Sequence, residues 1–245
     1  MQDVSSAHPR SRRHPRGIPT RGTDRFQNLR RRGMGRRGTL RSFRAQGDRY
    51  PMKYFVFKVQ GIDAGFIDEY PRGSPADWQF DKGISLIKQF PVGGEVSFSK
   101  NYPDDRTVYD FQPNLMSDLL VSGRARKLIE SLEVTNAEWL PVVVKNHQGA
   151  VVGPDYAFLN LQGAEDAIDM ERSVYRMNAI AKDQIGRVKK LALKYDAISP
   201  QAKLFRCTME RRLILIREDV HAAFVQAGLT GFKVYVAEGW NGLEL

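Results

Sequence analysis

The sequence predicts an α+β fold: a mixed sheet with two strand-helix-strand units, preceded by a disordered basic N-terminal tail. Three features of the 245 residues support this prediction. Two segments share the order of a short apolar strand, an amphipathic helix and a second strand. Several other segments alternate apolar and polar residues, as strands do. The N-terminal stretch is rich in arginine and has no apolar periodicity, so we divide the chain into a tail at residues 1–51 and a folded domain at residues 52–245.

The tail carries all of the excess positive charge. Residues 1–51 contain fourteen arginines, no lysine, three aspartates and no glutamate, so their net charge is +11, whereas the rest of the chain has −1. Such a tail could bind nucleic acid by releasing counterions from the phosphates. Arginine without lysine is more typical of a translated upstream leader, so we favour Met52 as the true start of the protein. A transit peptide is a third interpretation.

The domain opens with strand-forming segments. KYFVFKV at residues 53–59 is rich in β-forming residues, and GEVSFS at residues 94–99 predicts a short strand. The Gly-, Asp- and Pro-rich stretch between them predicts loops, in which Trp78 is embedded. This part of the chain is therefore expected to be strand and loop.

The first strand-helix-strand unit lies within residues 118–144. Leu119 to Val121 predicts a strand, Ser122 is a favourable helix N-cap, and Trp139 to Val144 predicts the second strand. One apolar helix face has the spacing i, i+3, i+4, i+7 and comprises Ala125, Leu128, Ile129 and Leu132. A helix is therefore expected directly after Ser122.

The second unit repeats this plan within residues 212–238. Leu213 to Ile216 predicts a strand, Gly228 can end the helix in the left-handed conformation, and Phe232 to Val236 closes the unit. The apolar helix face has the same four offsets and comprises Val220, Ala223, Phe224 and Ala227. The two units match in pattern, though not in sequence.

Further strands are predicted between the two units. The chain is expected to form a hairpin that turns at Asn146 to Gly149 and returns through residues 155–161. Residues 187–198 and 203–207 also alternate in the way that strands do. Strand therefore exceeds helix in the predicted domain.

The sequence lacks the specific signatures of an enzyme. HExxH, GxSxG and GxxxxGK[ST] motifs do not occur, and neither do paired Cys or His spacings for a metal. Cys207 is the single cysteine, which excludes an internal disulfide, favours a reducing compartment and predicts a buried strand residue. His147, at the hairpin tip, and His221, on the polar side of the second helix, are expected to be solvated. We predict no catalytic residue, no metal, no cofactor and no membrane-spanning segment.

One acidic stretch could carry chemistry. It contains Glu165, Asp166, Asp169 and Glu171, followed by Arg172 and Ser173. The four carboxylates could hold a divalent cation or act as acid and base, bind a partner, or cap local backbone in a short helix or turn. We favour capping, with Asp169 and Ser173 as the structural pair, and assign Asp166, Glu171 and Arg172 to a partner interface.

Five segments together resemble a known family. LLVSGRARKLIE, WLPVVV, YAFLNLQGAEDAIDMERSVY, LFRC and LILIREDVHAAFVQAGLTGFKVY occur in this order. They resemble the DUF1629 or immunity protein 11 family of bacterial polymorphic toxin systems, common in myxobacteria, over residues 52–245. The sequence departs from the family pattern at Arg217, where a capping Ser or Asp would be expected.

The resemblance implies a cytoplasmic, non-enzymatic protein that binds and neutralises a cognate toxin or secreted enzyme. Such a partner could be a nuclease, a deaminase or a protease. Large aromatic residues often anchor protein interfaces, so Trp78, Trp139 and Trp240 are the candidate contacts beside the acidic stretch. Two alternatives remain from the residues alone: a metal-dependent enzyme that uses the carboxylates of residues 165–171, and a nucleic-acid binder that acts through the basic tail.

Overall fold

A computed structural model describes residues 52–243 of the chain, so the predicted tail lies outside the described residues. The α+β class is confirmed, with strand exceeding helix. The helices are α1 (Gly123–Ser131) and α2 (Glu218–Gln226), and short 3₁₀ turns span Asp77–Lys82 and Tyr195–Ala197. The strands are β1 (Tyr54–Val59), β2 (Gly94–Ser97), β3 (Phe111–Gln112), β4 (Leu119–Val121), β5 (Ala137–Lys145), β6 (Val151–Leu161), β7 (Val174–Met177), β8 (Ile185–Lys190), β9 (Leu204–Cys207), β10 (Glu210–Arg217) and β11 (Phe232–Val236).

The described strands form two larger sheets and a two-stranded sheet. The first sheet has the order β11-β1-β10-β9, and all of its neighbouring strands are antiparallel. The second has the order β2-β5-β6-β4-β3, with only β2 and β5 parallel. Strands β7 and β8 form an antiparallel pair of their own.

Both predicted strand-helix-strand units are present, and each surrounds a third strand. β10 and β11 are both antiparallel to β1, so they run parallel to each other with β1 between them, and α2 connects them. In the same way, β4 and β5 are both antiparallel to β6, and α1 connects them. Each unit is therefore a split β-α-β motif completed by a strand from elsewhere in the chain.

The two helices and one face of each larger sheet meet in a central apolar cluster. Ala125 and Ile129 of α1 and Val220 and Phe224 of α2 are fully buried there, while Leu128 is only partly buried. Two of the four residues of each predicted face are therefore buried in the central cluster. The face of α2 ends sooner than predicted, since Ala227 is its exposed C-cap residue.

Two outer clusters cover the opposite sheet faces. The far face of the first sheet packs against the β7–β8 pair and includes Cys207, whose predicted burial is confirmed. The far face of the second sheet packs against the long loops of residues 60–100, which bring in Phe80 and Phe90. Apolar residues thus alternate between two interiors along strands such as β6, where Leu159 faces the centre and Phe158 the outer cluster.

The two helices begin differently. Ser122 is the N-cap of α1, and its hydroxyl accepts a hydrogen bond from the Ala125 amide at 3.2 Å. Arg217 is the N-cap of α2 and forms no side-chain cap; instead its guanidinium donates two hydrogen bonds of 2.7 Å to Asp219 and one of 2.9 Å to the Pro200 carbonyl. An ion pair therefore stands where a small capping side chain was expected.

Asp110 joins the start of α1 to the segment after α2. Its carboxylate accepts hydrogen bonds from the Ser122 hydroxyl at 2.7 Å and from Arg124 at 3.1 and 2.6 Å. It also accepts from the amide and hydroxyl of Thr230, both at 3.0 Å. Arg124 in turn donates to the Gly228 carbonyl at 2.9 Å. One buried carboxylate thus links both split units.

The remaining predicted elements are confirmed in part. The hairpin at Asn146 to Gly149 is confirmed, and Phe232–Val236 is a strand as expected. The strand predicted over residues 187–198 ends at Lys190, and β7 was not predicted at all. Of the short helix or turn predicted for residues 165–173, the turn is present: two isolated bridges, at Glu165 and Ile168, and a turn lead into β7. Neither α1 nor α2 is long and apolar enough to cross a membrane, and no other helix of the described residues is.

Candidate functional site

The 3₁₀ turn of Asp77–Lys82 contains one buried aromatic residue and one exposed tryptophan. Phe80 is buried and stacks on Tyr70 with ring centroids 4.0 Å apart, whereas Trp78 is 60% exposed. Gly83 ends the turn with a φ of +66°, and its carbonyl accepts a hydrogen bond of 2.8 Å from the Gly163 amide. The Trp78 ring therefore projects from a segment that is fixed at both its centre and its end.

Trp78 borders a groove of about 530 Å³. The other walls come from the loop that joins β7 to β8 and from the start of β10. The lining residues are Trp78, Asp81, Lys82, Asn178, Ala181, Asp183, Gln184, Ile185, Gly186, Glu210, Arg211 and Arg212. Within the groove, Arg212 forms an ion pair with Asp81 at 3.0 Å while its side chain remains 68% exposed.

Arg212 lies at the centre of a larger surface. It also lines a cavity of about 220 Å³ together with Trp240, Gly186 and Glu210. The structure therefore brings Trp78 and Trp240 to neighbouring cavities with shared walls. We call Trp78, Arg212 and Trp240, together with Gly186 and Glu210, which line both cavities, the Trp78–Trp240 surface.

A buried charge network holds this region together. Arg206 is 2% exposed, and its guanidinium contacts Asp118 at 3.3 Å and donates to the Arg211 carbonyl at 3.0 Å. The Tyr70 hydroxyl donates to the same Asp118 carboxylate. Burial raises the pKa of Asp118, and the adjacent Arg206 charge opposes that shift. Through these contacts the network connects the loop that precedes Trp78, which contains Tyr70, to Arg206 in β9 and to the Arg211 carbonyl in β10.

The other predicted tryptophans are half-buried. Trp139 packs against the central cluster, with the Arg126 guanidinium 5.2 Å from its ring centroid. Trp240 packs against the outer cluster beneath the first sheet, with the Lys58 ammonium 5.6 Å from its ring. Only Trp78 is largely exposed, so the three tryptophans do not form one aromatic patch.

The acidic stretch is engaged with its own surroundings. Glu165 accepts a hydrogen bond of 3.0 Å from the Ser199 amide, and Asp166 forms an exposed ion pair with Lys194 at 3.2 Å. Asp169 accepts from the amides of Glu171 and Arg172 at 3.0 Å each. The described residues contain no group of three or more His, Cys, Asp or Glu side chains that could hold a metal ion.

Asp169 and Ser173 fasten the turn before β7. Arg172 donates to Asp169 at 2.6 Å, which lowers the pKa of that carboxyl. The Ser173 hydroxyl accepts from the Ala192 amide at 2.9 Å and donates to the Ala192 carbonyl at 3.2 Å. Asp169 therefore caps local backbone, whereas Ser173 ties the turn to the backbone of Ala192, which is distant in sequence.

The two domain histidines were predicted to be solvated, which is wrong in part because both are half-buried. His147 lies 3.0 Å from the Tyr102 carbonyl and packs edge-on against Phe98. His221 packs against Phe55 with ring centroids 5.0 Å apart, and burial lowers its pKa. A helical pattern alone did not reveal that β1 lies beside the polar side of α2.

These observations define a class of protein: an α+β domain built from two split β-α-β units, with an exposed tryptophan and arginine surface of the kind found at protein interfaces. The family model of the Imm11 immunity proteins matches residues 44–239, and the chain belongs to this family. No curated protein matches the chain. Membership indicates a toxin-neutralising role, with a toxin protein as the partner.

Proposed function

We propose that this chain is a cytoplasmic, non-enzymatic immunity protein that binds one cognate toxin of a bacterial polymorphic toxin system in a stoichiometric complex. The family match over residues 44–239 carries this proposal. The toxin would be a nuclease, a deaminase or a protease. Neutralisation by binding requires no catalytic group on this chain, only a surface that covers what the toxin needs for its activity.

The Trp78–Trp240 surface is the contact that we propose. Interface hot spots are enriched in Trp and Arg, and here Trp78 is 60% exposed beside Arg212, whose side chain is 68% exposed. A stable complex buries about 1,200 to 2,000 Å² in total, so the contact would extend beyond the groove itself.

The buried polar groups support a binding role over catalysis. Cys207 is fully buried and its thiol pKa is raised by that burial, which disfavours the reactive thiolate. The Arg206 and Asp118 charges face each other inside the protein. Cys207 is thus a core residue, and Arg206 and Asp118 form a buried ion pair with each other.

Co-expression with the product of the adjacent gene tests the proposal. The wild-type chain is expected to restore growth and to co-purify with that product. Trp78→Ala and Arg212→Ala should each weaken the complex by about 2 kcal/mol or more, roughly 30-fold in Kd. Val151→Ala, which truncates an apolar side chain 54% exposed at the start of β6, is the control and should bind as wild type.

Two results would count against this assignment at different levels. If Trp78→Ala and Arg212→Ala protect and bind like the wild type, the interface lies elsewhere on the protein. If the adjacent gene product neither binds nor is toxic, the immunity function itself is wrong.

The acidic stretch offers a second contact, to be tested separately. Asp166 and Glu171 are exposed, and an exposed ion pair such as that of Asp166 with Lys194 contributes little to folding. Reversing both charges to lysine should therefore leave the melting temperature unchanged. Weaker binding of this variant would place the acidic stretch in the interface.

A further inference from the structure

The outward face of the β7–β8 pair carries positive charges that oppose one another. Arg176 lies directly across from Arg187 in the antiparallel register, and beyond a register shift after Val174 that residue lies across from Lys190. Side chains of paired residues, and of residues two apart, point to the same face of a sheet. Tyr175 and Val188, the neighbours of Arg176 and Arg187 along each strand, point the other way and pack into the outer cluster, whereas Lys190 is placed by its pairing with exposed Val174 across the register shift. We call Arg176, Arg187 and Lys190 the hairpin basic face.

The three side chains of this face have no ion-pair partner within the part of the chain that the structure describes. All three side chains belong to exposed residues, and none takes part in an ion pair with residues 52–243. Like charges directly opposite on neighbouring strands are destabilising. The like charges of Arg176 and Arg187 therefore do not support the pairing of β7 with β8.

Two other arginines of the domain, unlike Arg176 and Arg187, are matched by nearby carboxylates. Arg172, in the turn that leads into β7, is paired with Asp169 at 2.6 Å. Half-buried Arg126 is likewise paired with Glu130 one helical turn away at 2.8 Å. The pairing of Arg176 with Arg187 therefore differs from the carboxylate pairing of these two arginines.

The hairpin basic face is continuous with the Trp78–Trp240 surface. Arg187 lines the same cavity as Trp240 and Arg212, and Gly186 lines both that cavity and the Trp78 groove. Val174, 50% exposed, adds an apolar side chain to the same outward face. A partner seated over Arg212 would therefore meet Arg187 next.

We propose that the hairpin basic face binds a cluster of Asp and Glu side chains on the cognate toxin. The inference deepens the proposed function and rests on it. Arginine guanidinium groups bind carboxylates through two parallel hydrogen bonds, and complementary charges across an interface raise association rates and select partners. A carboxylate placed between Arg176 and Arg187 would turn their repulsion into attraction to the partner.

The size of the face favours a protein over a nucleic acid. Paired residues on neighbouring strands lie about 5 Å apart, and residues two apart on one strand about 7 Å apart. Such a patch covers about one or two phosphates, whereas proteins that rely on phosphate contacts commonly make about 6 to 10. Apolar Val174 and Trp240 beside the charges are also typical of a protein interface.

The test uses the full chain and the purified product of the adjacent gene, made inactive in its own active site. Affinity is measured by calorimetry for the wild type, for Arg176→Glu combined with Arg187→Glu, and for Lys88→Glu combined with Lys127→Glu. The two double variants change the net charge equally, and the second alters exposed lysines on a loop and on α1. The first should weaken binding by about 30-fold or more, and the second by less than about 3-fold.

A single variant separates binding from folding. Arg176→Glu creates an opposite-charge pair with Arg187, so the melting temperature should stay level or rise. Its affinity for the adjacent gene product should nevertheless fall. A structural role for the face would move stability and binding in the same direction. Raising salt from about 50 to about 200 mM should weaken wild-type binding more than that of the double variant.

Three outcomes would overturn the inference, and they are distinguishable. Equal affinity of the wild type and of the Arg176→Glu, Arg187→Glu variant removes the face from the interface. Binding of a labelled DNA duplex that this variant loses assigns the face to nucleic acid instead. Failure of the wild type to bind the adjacent gene product at all refutes the proposed function, and this inference falls with it.

Discussion

Replacing Asp110 by asparagine should destabilise the protein because the carboxylate links both split β-α-β motifs. Its two oxygens accept five hydrogen bonds, from the Ser122 hydroxyl, twice from Arg124 and twice from Thr230. An amide keeps the size of the side chain but offers acceptor capacity on one side only. Whichever way it is oriented, the amide NH₂ faces at least one donor.

The magnitude follows from the burial of each partner. A hydrogen bond to a charged group contributes about 1.5 to 3 kcal/mol when buried. The Arg124 side chain is 59% exposed, so its ion pair contributes less than about 1 kcal/mol. We therefore expect Asp110→Asn to lower the free energy of unfolding by about 2 to 3 kcal/mol, or the melting temperature by about 5 to 10 °C.

The effect should depend on pH. Burial raises the pKa of Asp110, but hydrogen bonds from Arg124, Ser122 and Thr230 outweigh burial and hold it below the ordinary value of 3.8. A carboxyl whose pKa is depressed by folding stabilises the protein above its unfolded pKa and loses that contribution as pH falls through the folded pKa. The asparagine variant has no such proton, so the two stabilities should converge below about pH 4.

Urea unfolding of both chains from neutral to acidic pH measures this difference. Asp104→Asn, an exposed change in the preceding loop, is the control and should match the wild type. A loss below about 0.5 kcal/mol for Asp110→Asn, or a difference that does not change with pH, would refute the proposed role of the carboxylate.

Further predictions concern the core, the acidic turn and the tail. Phe224→Ala should cost about 3 to 5 kcal/mol because the ring is fully buried, and Leu128→Ala less, because that residue is only partly buried; equal losses in urea unfolding would contradict the packing of the central cluster. Asp169→Ala should lower the melting temperature while toxin binding falls only in proportion to folded protein; selective loss of binding would make it a contact. A chain that begins at Met52 should melt as the full chain does, and a drop of more than about 5 °C would show that residues 1–51 contribute to the fold.

Local patterns predicted most of the elements. The spacing of Ala125, Leu128 and Ile129 identified the buried side of α1, and Ser122 identified its start, because capping and amphipathicity depend only on nearby residues. Strand Val174–Met177 escaped prediction, since four residues with a single half-buried side chain have no detectable period. Its pairing with β8 comes from tertiary packing.

The candidate surface could be predicted only in part. Trp78 stood out in the sequence because a large aromatic residue in a Gly- and Pro-rich loop is unusual. Arg212 did not, because β10 also contains Arg211, Arg217 and other charges that look alike in a sequence. Its place in the candidate surface comes from its position between two cavities that residues distant in sequence create. Arg176 and Arg187 escaped notice for a similar reason, since the register of an unpredicted strand brings them face to face.

The split arrangement of the first sheet also sets an order of events during synthesis. β1, near the beginning of the described chain, lies between β10 and β11, and pairs Phe55 with both Ile216 and Val236. While the ribosome is still translating the middle of the chain, β1 exposes apolar side chains on both faces without either neighbour. Pairings this distant form slowly, and the intermediates that precede them expose edges that aggregate. The first sheet is therefore complete only after the last strand, β11, has been synthesised and has paired with β1, and the protein can protect the cell only from then on.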